Sequence, residues 1–112
     1  MLPGPLRLRR SRDFSSVMRL GYKVARPTLI LYARSAPQHR FGVIVGRNVG
    51  GAVTRNLVKR RLRHQAWNLI RTAGPAMDVV VRALPRAGAA GPSLVADLVS
   101  AWAKAEESAV VR

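Results

Sequence analysis

The sequence contains no cysteine. That excludes a disulfide framework, a thiolate metal site and a cysteine nucleophile. Acidic residues are scarce, 5 Asp+Glu against 20 Lys+Arg in 112 residues, and they are dispersed along the chain. Phosphodiester hydrolysis by a protein needs clustered carboxylates or histidines to hold Mg²⁺ or move protons, and no such cluster is visible. Of the two histidines, His39 falls in a turn and His64 in a basic segment; His64 reads as a contact residue or a bystander, not a general base. Gly46, Gly50 and Gly51 lack the spacing of a phosphate-binding loop and its lysine. No run of 18 apolar residues is present to span a membrane. The opening MLPGPLRLRRSRDF has no apolar stretch after its basic residues, so no secretory signal is expected, and the protein is expected to be soluble and cytoplasmic.

What is present is a 48% apolar chain, enough for one packed domain that buries roughly two-thirds of its unfolded surface. The formal charge is +15. Seventeen of the basic residues are Arg, whose planar fork suits phosphate and base recognition. The charge is unevenly spread. Residues 1–72 hold 16 basic residues and one acid, Asp13, whereas residues 73–112 balance four against four. An even distribution would indicate a generally basic surface; this one indicates a defined anion-binding face and a neutral scaffold.

Residues 1–10 read as a flexible basic arm, 11–107 as a single domain and 108–112 as a tail. Ser11 is positioned to cap a helix over 12–20 with Phe14, Val17, Met18 and Leu20 on its apolar side, and Gly21 to close it. Tyr22–Ala25 is a short strand. Residues 28–34 and 40–46 are strands, the second antiparallel to the first because only a short turn joins them. A glycine-containing loop leads into a helix over about 52–72. Residues 77–83 form a continuous apolar strand, as expected at the centre of a sheet. Ser93 is positioned to cap a last helix with Leu94, Leu98, Ala101 and Trp102 at helical spacing. No internal repeat is found. The order α-β-β-β-α-β-α predicts an α/β (α+β) two-layer sandwich with a four-stranded mixed sheet.

In the 52–72 helix, Val58, Leu62, Ala66 and Leu69 form the buried stripe. Arg55, Lys59 and Arg63 recur at i, i+4 and i+8 on an adjacent face, with Asn56 and Arg60 beside them. Like charges at that spacing repel by a few tenths of a kcal/mol per pair. No carboxylate occurs between Asp13 and Asp78 to relieve them. Such a row is strained until an anion arrives, and phosphates along an RNA strand are its natural complement.

These residues resemble the bacterial ribonuclease P protein family. Its signature helix reads roughly A-V-x-R-N-R-x-K-R-x-x-R; here it is Ala52-Val53-Thr54-Arg55-Asn56-Leu57-Val58-Lys59-Arg60-Arg61-Leu62-Arg63. Arg7-Leu8-Arg9-Arg10, Asp13-Phe14 and Gly21 are similar to the family's opening segment, Leu31-Tyr32 to its first long strand, and Phe41-Gly42-Val43 with Val49-Gly50 to the strand and loop before the helix. The landmarks run in order from about residue 6 to 84. Leu57 and Asn48 depart from basic residues usual in the family.

The resemblance implies a non-catalytic protein subunit of an endoribonuclease whose RNA performs the chemistry and removes the 5′ leader of precursor tRNA, with Mg²⁺ used mainly through the RNA. It implies an RNA-subunit surface of Arg47, Asn48, Arg55, Asn56, Lys59, Arg60 and Arg63. It implies a leader cleft with Phe14, Met18 and Tyr32, where aromatic rings stack on bases of any sequence. The basic arm, with Arg7, Arg9 and Arg10, is an auxiliary contact. Partners are then the RNA subunit and precursor tRNA, with no membrane and no DNA. The family also carries an unusual left-handed strand–helix–strand crossover, against the general right-handed rule.

Two other classes compete. A structural RNA-binding protein of ribosomal type would carry the same charge but need not carry an aromatic-edged cleft. A DNA-binding module would place its recognition helix beside a second helix or a dimer partner, whereas this basic helix lies between two strands.

Overall fold

The computed structural model describes residues 2–72 and 74–109. Helix α1 spans Ser11–Leu20, strands β1, β2 and β3 span Tyr22–Ala25, Leu29–Ser35 and Arg40–Ile44, helix α2 spans Ala52–Ile70, β4 spans Met77–Ala83 and α3 spans Pro92–Ala109. The α-β-β-β-α-β-α order is as the sequence predicts. Short 3-10 turns at Gly4–Leu6, Arg47–Val49 and Pro85–Ala89 complete the fold.

The four strands form one mixed sheet in the order β1-β2-β4-β3. β2 pairs antiparallel with both β1 and β4, and β3 pairs parallel with β4. β3 therefore runs antiparallel to β2, as the short connection suggests, but the two are not neighbours, because β4 lies between them. The largely apolar run of β4, whose one buried charge is paired, explains this. Met77–Val81 is buried on both faces and takes the interior position that a half-polar strand cannot. α2 is the crossover that joins parallel β3 and β4.

Alternation along the strands assigns the two sheet faces. Leu29, Leu31, Ala33, Phe41, Val43, Val79 and Val81 face the main core, which α2 and α3 close with Val58, Leu62, Ala66, Leu94, Leu98, Ala101 and Trp102. The predicted stripes of both helices are thus the buried ones, except that Leu69 of α2 is only half-buried at the edge of the core. Thr28 ties α3 to the sheet, its backbone N–H and its hydroxyl both donating to Asp97 Oδ2, at 3.1 and 2.6 Å. On the opposite face α1 lays Val17, Phe14 and Met18 against Leu8, Tyr32 and Val80. This short helix covers only part of that face, and Leu20 is exposed.

Three local expectations give way. Ser11 is the first helical residue, with Arg10 at the cap and no side-chain cap bond. Gly21 is extended, at φ −81°; its need for glycine is space, since a Cβ there would meet the Val17 and Ala33 carbonyl oxygens. Ser93 lies inside α3, which starts at Pro92 after Gly91 at φ 54°; proline suits this first position because it has no N–H to leave unpaired.

Residues 2–10 do not extend as a free arm. Leu2 and Leu8 are buried, and the Leu8 N–H donates to the Phe41 carbonyl at 2.9 Å along the free edge of β3. Two leucines placed to reach two cores hold the segment, proline content notwithstanding. Of the predicted tail 108–112, residues 110–112 lie outside the described residues.

Candidate nucleic-acid interface

α2 turns its basic row toward a groove of about 560 Å³ lined by Leu2, Arg7, Asn56, Lys59, Arg60, Arg63 and His64. The stripe of Val58, Leu62 and Ala66 sets the helix rotation, and that rotation leaves Arg55, Lys59 and Arg63 half-buried and Asn56, Arg60 and His64 exposed. Four of the predicted residues, Asn56, Lys59, Arg60 and Arg63, meet here, joined by Arg7. Arg55 stands outside this lining. Its Nε is a buried nitrogen with no hydrogen-bond partner among the described residues, the kind of donor that is costly to leave unpaired. Arg47 and Asn48 are exposed on the turn before α2, while Val49 is buried beneath them. Among the described residues no ion pair engages any cation of this face; the two present both belong to Arg40.

The second surface lies under and beside α1. Paired residues on neighbouring strands point to the same side, so the register orders this face into rows: Arg34, Asp78, Arg40; then Lys23, Tyr32, Val80, Gly42; then Ile30, Arg82, Ile44. α1 covers the first row and part of the second by three contacts. Arg40 Nη1 lies 3.7 Å from Asp13 Oδ2, Arg34 Nη1 donates to Ser16 Oγ at 3.0 Å, and the Phe14 ring rests on Gly42. A side chain at position 42 would place its Cβ 2.5 Å from the Phe14 ring. The third row stays open. Phe14, Met18 and Tyr32 are brought into one apolar cluster; Tyr32 is mostly buried and its hydroxyl has no partner among the described residues.

Sequence reasoning missed Ile30, Ile44 and Arg82 as the open part of this floor. The signal was present for Ile30, two residues from Tyr32 on one strand and hence on the same face. Arg82 belongs to the net-neutral last third and looked like scaffold; β4, between β2 and β3, places it between two isoleucines.

Three of the five carboxylates are engaged internally. Asp78 and Asp13 face Arg40, and Asp97 accepts from Thr28. Among the described residues no three His, Asp or Glu side chains assemble as metal ligands. No helix among them is long and apolar enough to cross a membrane.

Fold and surface define a small, strongly basic α+β protein whose mixed sheet carries a cation-lined helix on one side and a partly covered apolar face on the other. The chain belongs to the ribonuclease P protein family, whose model, described as "Ribonuclease P", matches residues 2–106. It is 46% identical over 99 residues to the ribonuclease P protein component of Streptomyces bikiniensis, covering 79% of this chain and 80% of that one. To the protein of the same name from Acidothermus cellulolyticus it is 46% identical over 94 residues, with 80% and 78% covered. The fold is that of the RNase P protein of Staphylococcus aureus, at a TM-score of 0.74, 22% identity and coverage of 93% and 94%. It is likewise that of the RNase P protein of Thermotoga maritima, at a TM-score of 0.72, 21% identity and coverage of 90% and 96%.

Proposed function

We propose that this chain is the RNA-binding protein subunit of a cytoplasmic ribonucleoprotein that removes the 5′ leader of precursor tRNA. The RNA subunit carries the chemistry and holds the Mg²⁺, consistent with a protein whose carboxylates are all dispersed or engaged. Arg47, Asn48 and the α2 face, with Arg55, Asn56, Lys59, Arg60 and Arg63, bind the RNA subunit. The sheet face beside α1 takes the single-stranded leader: Phe14 and Tyr32 offer ring surface, Met18 widens the apolar wall, and Arg82 meets the backbone.

The observation that carries the reading is the pairing of an acid-free row of half-buried cations with an apolar, ring-bearing face on the other side of the same sheet. One surface suits a folded polyanion and the other suits unpaired bases. The test is reconstitution: the purified chain, the ribonuclease P RNA of a family member and a precursor tRNA at low Mg²⁺. Faster leader removal and tighter substrate binding are expected. An RNA that neither binds the chain nor gains activity from it refutes the proposal. Binding to ribosomal RNA with no effect on leader removal supports the ribosomal-type alternative instead.

A further inference from the structure

The N-terminal segment rounds the outer edge of β3. Leu2 is buried in the α2–α3 core and Leu8 in the α1 cluster on the opposite side. Between them Arg7 forms a bridge with Phe41 of the edge strand. Arg7 therefore stands where one face of the molecule turns into the other. Its side chain lines the α2 groove and also a smaller cleft of about 210 Å³ that contains Phe14 and Gly42. Arg63, reaching out from α2, lines both as well.

This junction is built. Arg7 Nε donates to the Leu2 carbonyl at 3.1 Å, which fixes the guanidinium and leaves its terminal nitrogens to the grooves. No carboxylate pairs with either arginine among the described residues. Burial, aided by the charge of Arg7, disfavours the charged form of Arg63. Two guanidinium groups held near each other without an acid are relieved by one shared anion, and Arg forks suit phosphate oxygens.

We propose that Arg7 and Arg63 together grip one phosphodiester of the leader strand as it rounds the β3 edge from the α2 groove into the α1 cleft. The two RNA surfaces are then joined by one continuous strand, and the N-terminal segment is a wall of its path. This rests on the leader-binding reading above.

The test uses the reconstituted ribonucleoprotein, with each protein variant at a concentration that saturates the RNA subunit. Precursor tRNAs carry a single uncharged methylphosphonate at successive leader linkages, and their affinity is divided by that of tRNA lacking a leader. The wild type is expected to lose about tenfold at the gripped linkage, the scale of one charge-assisted hydrogen bond. In both Arg7→Gln and Arg63→Gln that same linkage falls silent, while linkages deeper in the cleft keep their effect. Because Arg7 also anchors Leu2, Arg63→Gln, at a side chain that makes no hydrogen bond among the described residues, provides the second route to the same linkage. Unchanged profiles in both variants, or different linkages silenced by the two, overturn the proposal. A wild type with no leader-dependent affinity at all overturns the leader-binding reading itself.

Discussion

Arg40 grips Asp78 with both arms of its guanidinium, Nε donating to Oδ1 at 2.9 Å and Nη2 to Oδ2 at 3.0 Å. Asp78 lies on the central strand with 3% of its surface exposed, and Arg40 on the edge strand beside it. The third nitrogen of Arg40 faces Asp13 of α1. One side chain therefore satisfies a buried carboxylate and orients the helix that walls the cleft.

The two halves of that contact are worth different amounts. Arg40→Ala strands a buried carboxylate and is expected to cost about 2–3 kcal/mol, less than a fully buried pair because the guanidinium is one-third exposed. Asp13→Asn loses only a 3.7 Å contact between partly exposed groups and is expected to cost under about 1 kcal/mol. Urea denaturation of the two variants checks the order. Equal costs would mean that Asp78 does not depend on Arg40.

Gly42→Ala puts a methyl group against the Phe14 ring and 3.0 Å from Leu8 Cβ. α1 must rise or Phe14 must turn, and overpacking of this kind costs about 1–3 kcal/mol. Thermal denaturation should show the loss, with leader affinity falling more than RNA-subunit affinity. A fall confined to RNA-subunit binding would place the leader elsewhere.

Replacing Arg55, Lys59 and Arg63 together by Ala should weaken RNA-subunit binding and reduce the log–log salt slope by roughly one unit per lost phosphate contact. Titration of binding across salt concentrations measures this. A slope that stays the same would leave the row as a solvated face.

Tyr32→Phe removes a hydroxyl that has no partner among the described residues, so stability should hold. Leader affinity should fall by a few fold, the scale of one neutral hydrogen bond of about 1 kcal/mol. Equilibrium binding of precursor against leaderless tRNA checks it, and a large loss of stability would contradict the open hydroxyl.

His39 sets a pH dependence. Burial against the Trp102 side, ring centroids 6.3 Å apart, holds its pKa below the ordinary 6.5, and the Glu106 carboxylate only partly opposes this. The unfolded chain then binds a proton that the folded chain refuses. Stability should be flat above about pH 7 and fall as pH drops through 6.5 toward the lowered value. His39→Gln should flatten that limb in melting temperatures taken from pH 7.5 to 5.5, and an unchanged limb would assign it to other groups.

Local patterns were enough for much of this protein. The stripes Val58–Leu62–Ala66 and Leu94–Leu98–Ala101–Trp102 mark which faces of α2 and α3 are buried, because burial along a helix recurs at its own period. The acid-free row and the ordered landmarks from residue 6 to 84 were likewise legible, and with them the family. The caps were less so: Ser11 and Ser93 are good capping types, yet the chain enters α1 one residue earlier and α3 two residues earlier.

What no local pattern could carry is adjacency between distant segments. A four-residue turn sets the opposite direction of β2 and β3 but not that β4 comes between them, since strand order depends on which strand can be buried on both faces. That insertion places Arg82, a residue from the neutral third, on the open floor of the cleft, and gives Asp78 its partner in Arg40. The N-terminal residues read as an arm because prolines and arginines dominate them; only the two cores on either side of β3 give Leu2 and Leu8 places to go. Composition and periodicity pointed to a polyanion and to the helix proposed to meet it. The tertiary structure decided that both faces meet at Arg7, because it alone brings the first ten residues to the sheet's edge.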